Sequence, residues 1–396
     1  MKKIRLAKWM IIFSYLLIPL FAFSYKFYVG NSYTKLFYDF MVFILLFLFF
    51  VSFLQEKKKK ISKNAKPLIM VSFLMGLILF ISYIIRVYEG SSAEPFYLAP
   101  FIFELKLPVY LLIIGFAYVA LPPLDISHFV YWARGFSCIL IIDVLIRFLL
   151  TGVLERPTIV SESNYDGVFV LLGLIALFSD KKEKYFVGDY LLFLIATVLT
   201  QSKTGLGCFI VISFIHFSKP GNLKYFSFFL FSVFAGYFLL VARLSGIDDI
   251  EKIDRFAMWF SFIDLLNSGS WQNILLGYFP GFSIRDTDPY MWWFIENQSE
   301  KLGAQGLHAF NYHSFWLRLA ATYGVIFSGV IVLYFINFAR RGRSYLYFSI
   351  LVLLQGFSMG LFYLSVNVLM LSMYYSSLLA REGYSNTYTY NINPQG

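Results

Sequence analysis

RLSGIDDIEKIDRFAMWFSFIDLLNSGSWQNILLGYFPGFSIRDTDPYMWWFIENQSEKLGAQGLHAFNYHSFWLRLAATYG, residues 243–324, is the one long polar interval of an otherwise apolar chain. It holds two of the four histidines, His308 and His313, and five of the seven tryptophans. On either side, apolar runs close to the roughly 20 residues needed to cross hydrocarbon follow one another with short polar breaks. That contrast decides the fold class. The chain reads as all-α, a polytopic integral membrane protein with one large outer loop containing short helices.

Composition agrees. Hydrophobic residues make up 59% of the 396 and charged residues only 14%, unlike a soluble domain. A lipid-facing backbone must satisfy its own hydrogen bonds, which leaves helices or closed barrels. The apolar runs do not alternate with period two, so barrel strands are excluded. The net charge of +10 implies no nucleic-acid partner, because the basic residues cluster between apolar runs as topology requires. The run Lys57–Lys60 reads as topological and headgroup contact. Cys138 and Cys208 fall inside predicted spans and read as small apolar filler rather than a disulfide or metal pair.

Spans are predicted at 9–25, 36–54, 67–86, 96–120, 128–150, 165–179, 187–201, 204–218, 225–241, 316–338, 345–361 and 363–380. These about 12 transmembrane helices put both termini in the cytoplasm. The N-terminal charges precede an apolar run without a small-x-small cleavage site, so that run reads as an uncleaved span. Basic clusters at 57–66, 181–184, 219–224 and 340–343 then share the inner face, while Lys26, Lys35, Arg86 and Arg156 lie outside. The organisation is spans over 1–241, an extracytoplasmic loop over 242–315, and spans with a polar tail over 316–396.

The pair 187–201 and 204–218 is short for two crossings. One continuous crossing is the alternative, but it would place the flanking Lys clusters on opposite faces. Two helices meeting at Gln201–Gly205 are preferred, with their turn sunk below the outer surface and shielded by protein or lining a cavity.

Charges inside the predicted spans gather toward the outer side. Glu104 and Lys106 lie in the fourth span, Asp143 and Arg147 at i,i+4 in the fifth, Lys203 at the sunken turn and Arg318 in the tenth. Arg134 alone falls toward the inner side, where it can snorkel. Intramembrane charges face one another or a cavity. Mutual pairing and an anion-receiving outer vestibule are both consistent, and the excess of positive charge favours the vestibule.

Four local patterns then occur in order. Thr200-Gln201-Ser202-Lys203-Thr204-Gly205 forms the sunken turn, and Arg255-Phe256-Ala257-Met258-Trp259 opens an amphipathic stretch. Ile274-Leu275-Leu276-Gly277-Tyr278 leads through Pro280 to Gly281. His313-Ser314-Phe315-Trp316-Leu317 and Thr322-Tyr323-Gly324-Val325-Ile326 bring the chain back into the membrane. Internal repeats, P-loops, dinucleotide fingerprints, zinc spacings and nucleophile elbows are all absent.

In order and placement these patterns resemble the O-antigen polymerase and ligase superfamily of bacterial envelope glycosyltransferases, over roughly residues 200–330. Two departures stand out. Lys203 occupies the position where the family has arginine, supplying a point charge rather than a bidentate fork. Ser314 follows the histidine where the family has asparagine, which leaves Asn311 as the nearby candidate to orient the ring.

The resemblance implies sugar transfer from a lipid-diphosphate donor outside the bacterial cytoplasmic membrane, with no cofactor, metal or nucleotide sugar. It implies an undecaprenyl-diphosphate-linked oligosaccharide as substrate, with membrane lipids and a chain-length regulator protein as partners. A diphosphate leaving group needs positive charge, assigned on this resemblance to Lys203 and Arg255, helped by Arg147, Arg156, Arg285 and Arg318. The acceptor hydroxyl needs a base, and His313, a residue type that titrates near neutrality, stands where lipid phosphate and soluble sugar would meet.

A loop histidine is by default a solvated side chain; the motif set is what singles out His313 over His308. His128 and His216 lie near inner span ends and read as interfacial. Tyr290, Trp292, Trp293 and Phe294 suit either sugar stacking or headgroup anchoring. The expected activity is polysaccharide polymerase, with transfer to a lipid A core by an O-antigen ligase as the near alternative. A lipid-linked oligosaccharide flippase is the rival of another class, disfavoured because no repeated halves with broken helices are visible.

Overall fold

The computed structural model describes residues 8–20, 38–45, 62–88, 95–120, 124–180, 186–218, 254–297 and 303–389, apart from isolated positions, plus scattered residues in 47–51 and 226–237. Most of the predicted span 225–241, about half of 36–54 and the end of the tail lie outside the described residues. Among the described residues the chain is all-helical, with a single isolated antiparallel bridge between Arg285 and Leu307.

The bundle begins with α1 (Lys8–Leu20), α2 (Lys66–Tyr88), α3 (Leu98–Ala120) and α4 (Ser127–Thr151). Next come α5 (Ser163–Ser179), α6 (Phe186–Leu199) and α7 (Lys203–Phe217). The polar interval supplies α8 (Asp254–Ser268) and α9 (Trp271–Leu276), and the chain closes with α10 (Phe315–Ala339), α11 (Arg343–Gln355) and α12 (Ser365–Thr389). From α2 to α7 the helix ends fall within two residues of the predicted spans. Among the described residues, two segments, Leu98–Ala117 and Phe315–Ala339, are long and apolar enough to cross a membrane.

Apolar character on every face makes α5 a central helix. All of residues 164–177 are buried, and α5 packs against α4, α6, α7 and α11. Its buried Asp166 accepts the Ile159 and Val160 N–H groups at 2.9 and 3.0 Å, tying the preceding loop down. By contrast α2 turns Met70, Phe73, Leu77 and Phe80 outward, each more than half exposed.

The preferred two-helix reading of residues 187–218 agrees with what is seen. Tyr190 near the start of α6 reaches Ser213 near the end of α7, with its OH 3.3 Å from Oγ. The two helices therefore form an antiparallel hairpin. It turns at Gln201, whose φ of 52° is the left-handed conformation that ends α6. Gln201 Nε2 donates to Leu154 O at 3.1 Å, so the short 152–157 loop rests on this turn.

Two expected continuous helices are interrupted. Gly324, inside α10, has φ 77° and ψ 172°, a conformation open essentially only to glycine. A Cβ there would stand 2.0 Å from Leu275 O, and one on Gly277 (φ 88°) would stand 2.2 Å from Thr322 O. Tyr278 N–H donates to Ala321 O at 2.7 Å across the same contact. Two backbones thus meet face to face where two of the sequence patterns lie. The predicted span 345–361 is cut short too, because α11 ends at Gln355 and Gly356–Leu364 is irregular before α12.

Pairing explains most of the charge inside the predicted spans. Glu104, 1% exposed on α3, accepts Arg318 Nε at 2.8 Å and Thr322 Oγ1 at 3.0 Å. Arg318 also donates to Phe103 O at 3.1 Å and lies 3.6 Å over the Tyr363 ring. Arg134, expected to snorkel, instead grips Asp189 on α6 through Nε and Nη2 at 2.5 and 2.6 Å. A buried guanidinium is better satisfied by a bidentate carboxylate than by a reach to distant water.

The polar interval folds around a core of its own, separate from that of the bundle. Met258, Phe262 and Leu265 share one face of α8 and meet Met291, Ile295, Leu307, Tyr312, Leu317 and Ala321. That core therefore passes the expected loop boundary at 315 and takes in the first two turns of α10.

Candidate functional site

Three of the sequence patterns converge on the end of α11 and the irregular stretch after it, Gln355–Gly360. From α10, the Ser314 Oγ donates to Gly356 O at 3.0 Å, and Phe315 N–H donates to Met359 O at 2.9 Å. The His313 carbonyl lies 3.7 Å from where a Cβ on Gly360 would stand. From α8, Trp259 stacks on Phe357 with ring centroids 5.7 Å apart. From α7, a Cβ on Gly205 would stand 3.9 Å from Gln355 Nε2.

His313 is exposed at this junction. Its backbone N–H donates to Met258 Sδ at 3.4 Å. Arg255 stands three residues before Met258 in the first turn of α8, which puts both positions on one helical face. The Arg255 side chain lies outside the described residues. His313 and the start of α8 are thus neighbours although about 58 positions separate Arg255 from His313 in the chain.

Lys203 opens α7. Ser202 caps that helix, its Oγ accepting the Gly205 N–H at 3.0 Å. Lys203 is half-buried, and no described residue pairs with its ammonium. A helix N-terminus and a lysine with no counter-charge among the described residues both favour an anion. Arg156 is half-buried in the loop that rests on this turn.

The other expected cations are committed elsewhere. Arg147 pairs with Asp143 at 3.0 Å and with Glu155 at 3.7 Å. Arg285, expected at the donor phosphate, belongs to the loop's internal knot. It meets Asp264 at 2.6 Å and Asp288 at 3.0 Å, and donates to Ser261 O at 2.9 Å. Arg318 is held by Glu104 as described. Each of these arginines already has a carboxylate, so its charge is largely cancelled where it stands. Burial alone would lower the Arg285 pKa, but the Asp264 hydrogen bond and the Asp288 charge raise it above the usual value. Tyr312, in the same knot, is pushed up chiefly by burial.

Asn311 does not orient His313. Its Oδ1 accepts the His308 N–H at 2.6 Å, closing a short 3-10 turn, and the residue is fully buried. His308 is itself buried, with Nε2 3.0 Å from Gln305 O and its ring edge-on to Tyr97. Among the aromatic group, Trp292 is exposed while Tyr290 packs on Phe260 at 5.9 Å.

Burial lowers the His308 pKa below the ordinary imidazole value of 6.5. The folded loop therefore holds a neutral ring that the unfolded chain would protonate. Stability from this source is fully present above 6.5 and is lost as pH falls toward the lowered folded value. The melting temperature of the wild type should drop between pH 7 and pH 5 more than that of His308→Phe. Equal drops would show that His308 does not carry this dependence.

The residues that sequence reasoning missed are Gln355–Gly360. A Gln, a Ser and two glycines in an apolar run were the available signal. Gly356 is required here, since a Cβ would stand 2.6 Å from Trp316 Nε1, which itself donates to Leu353 O at 2.9 Å.

No family model matches the chain, and no curated protein or solved structure matches it either.

Proposed function

We propose that this chain is a membrane glycosyltransferase of bacterial envelope assembly, a polysaccharide polymerase using an undecaprenyl-diphosphate-linked donor. On this reading the twelve predicted spans cross the cytoplasmic membrane with both termini inside, and the 254–313 region covers the outer face. The outward apolar side chains of α2 and the apolar length of α3 and α10 support a lipid surround.

One observation carries the reading. The Lys203 turn, the Arg255 helix and the His313 junction, far apart in sequence, meet around Gln355–Gly360. Lys203 and Arg255 take the donor diphosphate, whose developing negative charge they stabilise as the sugar–phosphate bond breaks. His313, exposed beside them, accepts the proton of the attacking acceptor hydroxyl. The buried Glu104–Arg318 pair and the Gly277–Gly324 contact hold the first turns of α10 in place beneath that histidine.

Alanine at Lys203 or at Arg255 should slow polymer formation by about 2–4 kcal/mol of barrier. Lys203→Arg should retain activity, because charge rather than fork geometry is what the lysine supplies. Chain-length profiles of surface polysaccharide in a deletion strain carrying each variant make the measurement. Normal profiles from both alanine variants at wild-type protein levels would defeat the proposal.

A further inference from the structure

Gln355 is fully buried, and neither its Oε1 nor its Nε2 has a hydrogen-bond partner. The Cys208 sulfur lies beside the carboxamide and is at most a weak acceptor for its N–H. One turn on, Ser358 is 7% exposed and its Oγ is also without a partner, while its N–H donates to Gln355 O at 3.1 Å. Orphaned buried side chains are uncommon in folded proteins and ask for a reason. Here they lie at a helix break, beside the first turn of α7, under the His313 junction.

Their chemistry narrows the ligand. A carboxamide with no strong partner at either end offers two donors and an acceptor, and a serine hydroxyl offers both roles. A diphosphate esterified at both ends, which only accepts at neutral pH, would leave Gln355 Oε1 unmet. Vicinal hydroxyls both donate and accept and would satisfy both groups. Between Gln355 and Ser358, Phe357 turns outward, 49% exposed, and stacks with Trp259. Aromatic rings of this kind pack against the apolar face of a sugar.

We infer that Gln355, Ser358 and the Trp259–Phe357 pair form a carbohydrate subsite that holds a hydroxyl-bearing ring of the glycan beside His313. This rests on the proposed transfer reaction and adds a specificity-determining residue to it. Gln355 reads hydroxyls, whereas Lys203, over the same turn, answers to charge. The two groups divide one substrate between them.

The test uses the full-length protein in detergent, with tryptophan fluorescence as readout. The probe is the set of repeat-unit oligosaccharides released from the producing strain's own surface polysaccharide. Wild type should bind saturably. Gln355→Leu should bind at least about tenfold more weakly, the worth of one or two good hydrogen bonds. Its melting temperature should hold or rise, because leucine removes two orphaned polar atoms. Ser358→Ala, a smaller change, should weaken binding a few-fold with an unchanged melting temperature, which keeps the test alive if Gln355→Leu folds poorly.

Wild-type binding by both variants would overturn the inference. So would a loss of binding matched by a fall in melting temperature in both variants, or failure of the wild type to bind any oligosaccharide. If the variants lose pyrophosphate binding and keep oligosaccharide binding, the subsite is a phosphate site and the inference is wrong. Transfer activity separates the two levels. Wild type without transferase activity defeats the proposed function, whereas full activity in Gln355→Leu defeats only the subsite.

Discussion

If the proposed function holds, His313→Ala should abolish glycan transfer while leaving the protein inserted and able to bind a lipid-diphosphate donor. A positioned general base contributes about 10² to 10⁴ in rate, enough to empty long-chain polymer from a gel. The fold gives this variant a clean background. The exposed ring projects from a backbone that is fixed independently, through the His313 N–H on Met258 and the Ser314 hydroxyl on Gly356. Removing the imidazole leaves these two anchors in place. His308→Ala should behave differently, lowering stability rather than rate, since its ring is packed against Tyr97 and Phe310. Near-normal polymer length from His313→Ala, or a defect confined to accumulation, would remove the histidine from the reaction.

Glu104→Ala should be the most damaging change in the bundle. Deleting this carboxylate leaves the Arg318 guanidinium, 12% exposed, without a counter-charge, and takes the acceptor from Thr322. Breaking a buried pair from one side costs about 3–5 kcal/mol, a large share of the stability of any domain. The expected result is a protein that accumulates poorly or melts well below wild type. Replacing both members, as Glu104→Met with Arg318→Met, should recover much of that loss, because the isolated charge goes with its partner. A Glu104→Ala protein with wild-type yield and melting temperature would show that the pair does not hold α3 to α10.

Helix positions were legible from a simple pattern: apolar runs of span length, punctuated by basic clusters, mark the helices of the bundle. The Lys66 and Arg343 starts and the α6–α7 hairpin followed from that pattern. Local charge pairs were legible too, and Asp143 with Arg147 at i,i+4 is the case in point. Pairs across the chain were not. Arg318 and Glu104 lie 214 positions apart, and nothing in either neighbourhood names the other. The cations therefore looked more available to a substrate than they are. The break after Gln355 was missed for a different reason. Hydropathy averages over a window, and two glycines and a serine among Leu, Phe and Met barely lower the mean. Within the candidate site, the motif positions were visible in order, but their meeting point was not, because it is made of residues that belong to none of them.

The facing glycines at 277 and 324 carry a consequence for genetics. Each admits no Cβ because it abuts the other segment's peptide backbone, the Thr322 and Leu275 carbonyls, rather than a side chain. A clash between side chains can be relieved by a second mutation that shrinks the partner. A clash with a carbonyl oxygen has no such remedy, since every amino acid carries the same one. Lesions at these two codons are therefore a class for which intragenic suppressors at the contact do not exist, and true reversion to glycine is the local route back.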